Sequence, residues 1–384
     1  MLRSLAALAV VVLASCSYLP SMNPMDWFAG PGGPKPAELP PLSNPQSVRV
    51  LWSTSVGSAD AYFFSPVLAD GSVFTAARDG TVARLDAATG QVRWRVSAGP
   101  KLSAGVGADA SLVVVATEEG EVIALEAKDG KPRWRARVSS EVLAAPAVGD
   151  ELVLVRSADS RIFAFGAADG KRRWVFQRAA GALLVRSPAG VTMQDRLAYA
   201  GFSGGKLVAI SLANGAMRWE ATVAVPKGST ELERVADIMG NPVAQGREVC
   251  AAAFQGRVAC YDAQSGSQQW AREMSTLTGV SFDSRYAFVS DDKGAVHALD
   301  RTNGRSVWKQ DKLAHRRLSQ PLPVDNEVVF GDLQGYVHFL SREAGAFVAR
   351  VPTDGSPVLA APLRLPTGLL LQTRNGGLYA LSLK

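Results

Sequence analysis

With 384 residues, 47% hydrophobic and 20% charged, the chain is long enough for one large domain or two or three small ones, and it is too apolar to be a disordered polymer. Its net charge of +6 comes from 41 basic and 35 acidic residues spread without a dense run or interleaved aromatics, the pattern of a solvated surface and not of a nucleic-acid-binding face.

The N-terminus reads as a targeting segment. Arg3 gives a positive start, Leu5 to Leu13 form an apolar stretch too short to span a bilayer, and Leu13-Ala14-Ser15-Cys16 resembles the bacterial lipobox. Residues 1–15 are therefore expected to be a signal peptide, with Cys16 as the lipidated N-terminus of the mature protein. Ser17 stands where lipoproteins retained in the inner membrane typically carry Asp, which implies outer-membrane delivery with the folded part in the periplasm. Residues 16–47 are rich in Pro and Gly, a composition that predicts an extended, partly stiff tether.

From residue 48 onward a single phrase recurs: a tight turn, a short apolar strand, a second turn with Gly, and a Trp four residues later. Its instances include Arg78 to Trp94, Glu118 to Trp134, Ser203 to Trp219 and Asp292 to Trp308. The tryptophans at 52, 94, 134, 174, 219, 270 and 308 are 38 to 51 residues apart, which suits one four-stranded blade per repeat and leaves no room for helices. The predicted fold is an all-β, eight-bladed propeller over residues 48–384. Positions such as Val82, Val122 and Val296 fall on one side of a strand and Leu85, Leu125 and Leu299 on the other, so these strands are expected to be buried on both faces. The Trp on the next strand outward suits the wedge between blades. The last repeat stops after its third strand, and Val48 to Gly57 carries Trp52 without a preceding hairpin. The N-terminal strand is thus expected to complete the eighth blade and close the ring. Ala349 occupies the Trp slot of the seventh repeat.

Sequence signals for chemistry are sparse. His297 and His338 recur three residues after a turn Gly, as strand residues in a repeating frame, and no clustered Cys/His spacing supports a metal site. The G-x-S-x-G at Gly201 to Gly205 falls in a strand-to-strand hairpin instead of a nucleophile elbow, and Gly105-Val106-Gly107 has no helix after it to receive a pyrophosphate. Cys250 and Cys260 lie on adjacent strands of one blade, as either a disulfide or a packed pair of thiols. The repeat resembles the Trp-docking repeat of quinoprotein dehydrogenases, but the chain has no adjacent cysteines and no matching carboxylate set. No catalytic residue, metal or cofactor is expected; a quinone-dependent dehydrogenase or a sugar-binding propeller is the alternative reading.

Departures from the repeat locate the candidate site. Between each Trp slot and the start of the next blade the chain uses 9 to 14 residues, except for 17 after Trp174 and 23 after Trp219. These consecutive connections should neighbour each other on one face of the disc. The first carries Leu183, Leu184, Val185 and Arg186, and the second runs from Lys227 to Asp237 with room for one helical turn. Apolar side chains rimmed by charge have the composition of a protein-binding patch.

On Gly228-Ser229-Thr230-Glu231 with Arg234 and Asp237, His315-Arg316 before Pro321, and Gly331-Asp332 through Phe347-Val348-Ala349, the chain resembles the BamB family of lipoproteins in the outer-membrane β-barrel assembly machinery, over essentially its whole length. The resemblance implies a non-enzymatic scaffold that binds the periplasmic domains of the barrel-forming subunit, BamA, alongside the other assembly subunits, and assists insertion of β-barrel proteins, with unfolded clients as further partners. Carried over by position, it assigns partner contact to Leu183, Val185, Arg186 and Asp237. Where the family often has a second acid two places on, this chain has Met239, which weakens the acidic half of that contact.

Overall fold

The computed structural model describes residues 34–179, 185–230 and 232–383. Cys16 and Leu183 lie outside the described residues. Pro36–Lys384 forms one compact unit, in which the described residues make eight antiparallel four-stranded sheets and no helix. Blade 1 is typical: a short inner strand Val67–Ala69, then Ser72–Ala76 and Thr81–Asp86, then the outer strand Val92–Ser97. Blade 8 takes Leu363–Leu365, Gly368–Gln372 and Gly377–Leu383 from the C-terminus, and its outer strand, Val48–Ser55, pairs antiparallel with Gly377–Leu383.

Burial follows radius. Second strands such as Ser72–Ala76 and Leu112–Ala116 are buried at every position, because a neighbouring blade covers each of their faces, whereas the outer strand Val92–Ser97 alternates between exposed and partly buried. There is no single core. Eight apolar clusters fill the eight wedges between adjacent blades; one, for example, joins Phe74 and Val82 of blade 1 to Val113, Val115 and Leu125 of blade 2.

The repeated phrase is a docking device. The indole N–H of Trp52, Trp94, Trp134 and Trp174 donates to the carbonyl of Ala87, Ala127, Ala167 and Leu212 in the next blade, at 2.8–3.1 Å. Trp219, Trp270 and Trp308 donate to Ala263, Arg301 and Arg342 in the same way. Each ring also lies against the second-turn Gly of that blade: a Cβ on Gly90 would come within 2.5 Å of Trp52, and one on Gly304 within 2.5 Å of Trp270. Gly is required twice over, by this close approach and by φ of +71° at both turns. The turn Asp completes the device, since Asp86 Oδ1 accepts the N–H of Ala88 and Thr89. Ala349 falls at the junction with blade 8, whose outer strand arrives from the other end of the chain. No second turn exists there for an indole to dock against, which accounts for the missing Trp of the seventh repeat.

The segment expected to be a tether up to residue 47 is not free over its last part. Ala37 N–H donates to Ala314 O at 2.9 Å, Gln46 N–H donates to Val348 O at 2.8 Å, and Leu39 packs on the cluster between blades 6 and 7. Extended, proline-rich backbone leaves its carbonyls unpaired, and two arginines take them: Arg316 donates to Ala37 O and Arg350 to Pro40 O. Arg316 is 2% exposed and also pairs with the buried Asp332, which accepts from His338 Nε2 at 2.8 Å. Arg350 Nε lies 3.4 Å from His338 Nδ1. That environment needs a neutral ring with its proton on Nε2, and burial indeed holds the His338 pKa below its usual value despite Asp332. His297 repeats the contact on Asp291 at 2.9 Å. Cys250 and Cys260 are bonded as a disulfide between directly opposed residues of neighbouring strands.

A candidate protein-docking face

Within each blade the hairpin between the second and third strands and the connection to the next blade emerge on the same face. Ala98, Val138 and Val223, which begin three of these connections, donate their N–H to Gly80, Gly120 and Gly205 of those hairpins. The two long connections are neighbours on this face and are tied together. Val185 N–H donates to Asp237 Oδ2 at 2.7 Å, and Gly190 N–H donates to Asn241 Oδ1 at 2.6 Å. The second connection is held by a capping box. Glu233 N–H donates to Thr230 Oγ1, and Glu233 Oε2 accepts from Ser229 and Thr230 N–H, ahead of a single turn at 232–234. These hydrogen bonds keep the Glu233 carboxyl below its usual pKa. The turn buries Val235 and Ala236 while Leu232 stays 56% exposed.

Of the four positions assigned to partner contact, the three described ones differ in kind. Val185 is partly exposed and Arg186 exposed. Asp237 is only 6% exposed, and its carboxylate turns inward to Val185 N–H, with Gly204 N–H as a further donor. Burial raises its pKa; the two N–H groups and Arg156 oppose that rise. Met239, two residues on, is 4% exposed. Asp237 thus pins the first loop and presents little of its carboxylate to solvent.

Arg186 reaches over three blades. Its guanidinium is 2.9 Å from Glu141 and 3.6 Å from Glu118, and it lies 5.6 Å from the ring centre of Tyr62. Arg78 covers the same ring at 4.3 Å and pairs with Glu118 at 2.7 Å; the Tyr62 hydroxyl donates to Glu118. Tyr62, Arg78, Glu118 and Glu141 carry no sequence signal of function, because they sit on four separate loops that meet only when the ring forms. Beside them, a cleft of roughly 220 Å³ between blades 3 and 4 is lined by Glu141, Arg156, Val185, Arg186, Phe202 and Asp237, among others. Arg156 donates to Ala189 O at 3.0 Å and lies over Phe202, and burial lowers its pKa to about 10. The cavity at the ring centre, about 500 Å³, is lined by residues such as Pro66, Gly107, Pro146, Val191 and Leu277, and among the described lining residues none is charged.

The family model for the outer membrane protein assembly factor BamB matches residues 78–310. The chain is 43% identical to the outer membrane protein assembly factor BamB of Bordetella pertussis over 345 residues, covering 90% of this chain and 89% of that protein.

The chain belongs to the BamB family.

Among solved structures, BamB from Moraxella catarrhalis superimposes with a TM-score of 0.80 at 25% identity, covering 88% of this chain and all of that one. A quinohemoprotein alcohol dehydrogenase from Pseudomonas putida gives a TM-score of 0.70 at 14% identity, covering 88% and 76% of the two chains, which is a likeness of fold alone. The family is named for assembly, not for catalysis.

Proposed function

We propose that this chain is a non-enzymatic scaffold of outer-membrane protein assembly, held at the outer membrane by a lipid on Cys16 with its propeller in the periplasm, and that it docks the periplasmic domains of the barrel-forming subunit on the face bearing the two long connections. Family membership supports the assembly role. The observation that carries the docking site is the Val185–Asp237 hydrogen bond, which makes two enlarged loops into one preorganised surface, where a partner meets less unpaid ordering cost. In this reading Leu183, Val185 and Arg186 touch the partner, Leu232 extends the apolar rim, and Asp237 positions the first loop. The test is a purified-component pulldown with the barrel subunit's periplasmic domains. Leu183→Ala with Arg186→Ala should weaken capture at unchanged melting temperature; capture at wild-type strength would remove these loops from the site. Cys16→Ser should release the protein from the membrane fraction.

A further inference from the structure

The propeller gathers arginines that the sequence holds far apart. The outer strand of blade 1 carries Arg93 and Arg95, that of blade 2 (Pro132–Arg137) carries Arg133, Arg135 and Arg137, and that of blade 3 (Arg172–Gln177) carries Arg172 and Arg173. None of these three strands contains a carboxylate. The intervals of roughly one repeat become, on folding, the step between neighbouring blades. Including the turns that lead into these strands, residues 86–97, 126–137 and 166–178 hold eleven Lys and Arg against four Asp and Glu. That excess alone exceeds the +6 of the whole chain, so the remainder is net acidic.

Local acids neutralise only part of the rim. Arg93, Arg133, Arg135 and Arg173 pair with Asp86, Glu126, Glu121 and Asp169 of their own blades. Arg137 and Arg172 are exposed and have no ion-pair partner among the described residues, and Arg95 meets only the Ser55 carbonyl. A bulge recurs at the same place in each of these strands: the register shifts between the third and outer strands at Arg84/Leu85, Ala124/Leu125 and Ala164/Phe165, and the residues it leaves unpaired in the ladder are Arg93, Arg133 and Arg173. Exposed apolar side chains are interleaved, with Val92 and Val175 on the same strands and Met217 on the next blade.

We propose that the outer rim of blades 1–3 is a contact surface for an anionic phospholipid bilayer. The row is spread over three blades, and none of its arginines lines either of the cavities described above, which fits a delocalised sheet of phosphates better than a peptide that needs a pocket. Val92, Val175 and Met217 supply shallow apolar contact at headgroup depth. The row lies on outer strands and includes no residue of the two long connections, so partner and lipid can be held together, and a chain tied to the membrane makes even weak contacts effective through local concentration. The inference rests on the proposed outer-membrane residence but not on the docking loops.

Its test uses unlipidated chain beginning at Ser17, which retains the whole compact unit, in co-sedimentation with phosphatidylcholine vesicles with and without phosphatidylglycerol. The wild type should bind only the anionic vesicles and release at high salt. Each cation near such a surface contributes roughly fivefold to binding, so Arg95→Gln/Arg137→Gln/Arg172→Gln should lower partitioning by on the order of a hundredfold. The equal-charge control Arg196→Gln/Arg247→Gln/Arg305→Gln, on exposed sites of blades 4–6, should lower it little. No preference for anionic vesicles, or equal losses in the two triple variants, overturns the proposal. Leu183→Ala/Arg186→Ala should leave vesicle binding intact while the rim variant still captures the barrel subunit, so failure here is distinguishable from failure of the docking site.

Discussion

Replacing Asp237 with Ala separates positioning from contact. The carboxylate is almost wholly buried, so a partner has little of it to touch, yet it holds Val185 N–H at 2.7 Å. A hydrogen bond to a charged acceptor is worth about 1.5–3 kcal/mol net. Taking about 2 kcal/mol for the Val185 bond, and treating Gly204 as fixed by its own hairpin, the docked form of the first loop loses roughly thirtyfold in equilibrium constant. If the partner selects the docked loop, its affinity should fall by about ten- to thirtyfold. Global stability should change much less, because removing a buried carboxylate also removes its desolvation cost. The assay pairs hydrogen exchange with binding: amides of 185–190 should lose protection in Asp237→Ala while the blades keep theirs, and capture of the barrel subunit should weaken in parallel. Asp237→Asn, which retains an acceptor, should recover most of both effects. Unchanged exchange at 185–190, or weakened capture with full loop protection, would refute the positioning role.

The Trp docking device predicts that Trp270→Ala costs about 3–5 kcal/mol by chemical denaturation, and that Gly304→Ala destabilises from the other side of the same contact by driving a Cβ into the ring. Ala349→Trp should not stabilise the protein, since blade 8 offers no turn to receive it. Reducing the Cys250–Cys260 disulfide, which closes a span of 10 residues, should cost about 2.5 kcal/mol and lower the melting temperature by about 3 °C; denatured, unreduced protein should yield no thiol from this pair. The third test concerns pH. The His338 pKa is depressed in the folded protein by burial, so its contribution to stability is present above the unfolded value of 6.5 and is lost as pH falls through it, because the unfolded chain takes up a proton that the native ring refuses. Asp332 acts in the same direction at lower pH: burial raises its pKa, but His338, Arg316 and backbone donors outweigh that and leave it lowered, so its contribution disappears as pH falls below 3.8. Melting temperature should therefore drop between pH 7.5 and 5.5, and His338→Gln should flatten that drop. An equal drop in the variant would show that other groups carry it.

The blade architecture was legible in the sequence because its signals are local and periodic. A Gly required at the turn, an Asp that caps it and a Trp four residues on all lie within one hairpin, and repetition makes the pattern unmistakable. The two long connections were legible for the same reason, as breaks in a known spacing. The orientation of Asp237 was not. An acid in a long loop looks like a surface charge, and only the approach of a second loop, with Val185 N–H pointing at it, turned the carboxylate inward. The proline-rich segment misled similarly. Its composition does specify extended backbone, but whether extended backbone stays free depends on whether arginines elsewhere can take its carbonyls, and Arg316 and Arg350 are some three hundred residues away.

By itself the sequence determined the number of blades, the lock between them and the place where the disc departs from its pattern, since each of these is written within a single repeat. The tertiary structure alone decided which charges meet. Ring closure brings loops and rims from different repeats within a few ångströms, and electrostatic pairing falls off too steeply with distance to be read from spacing along the chain. Arg186 across Tyr62, Glu118 and Glu141, and the seven arginines aligned on three outer strands, exist only because a period near forty residues becomes, in the folded ring, the step between neighbouring blades.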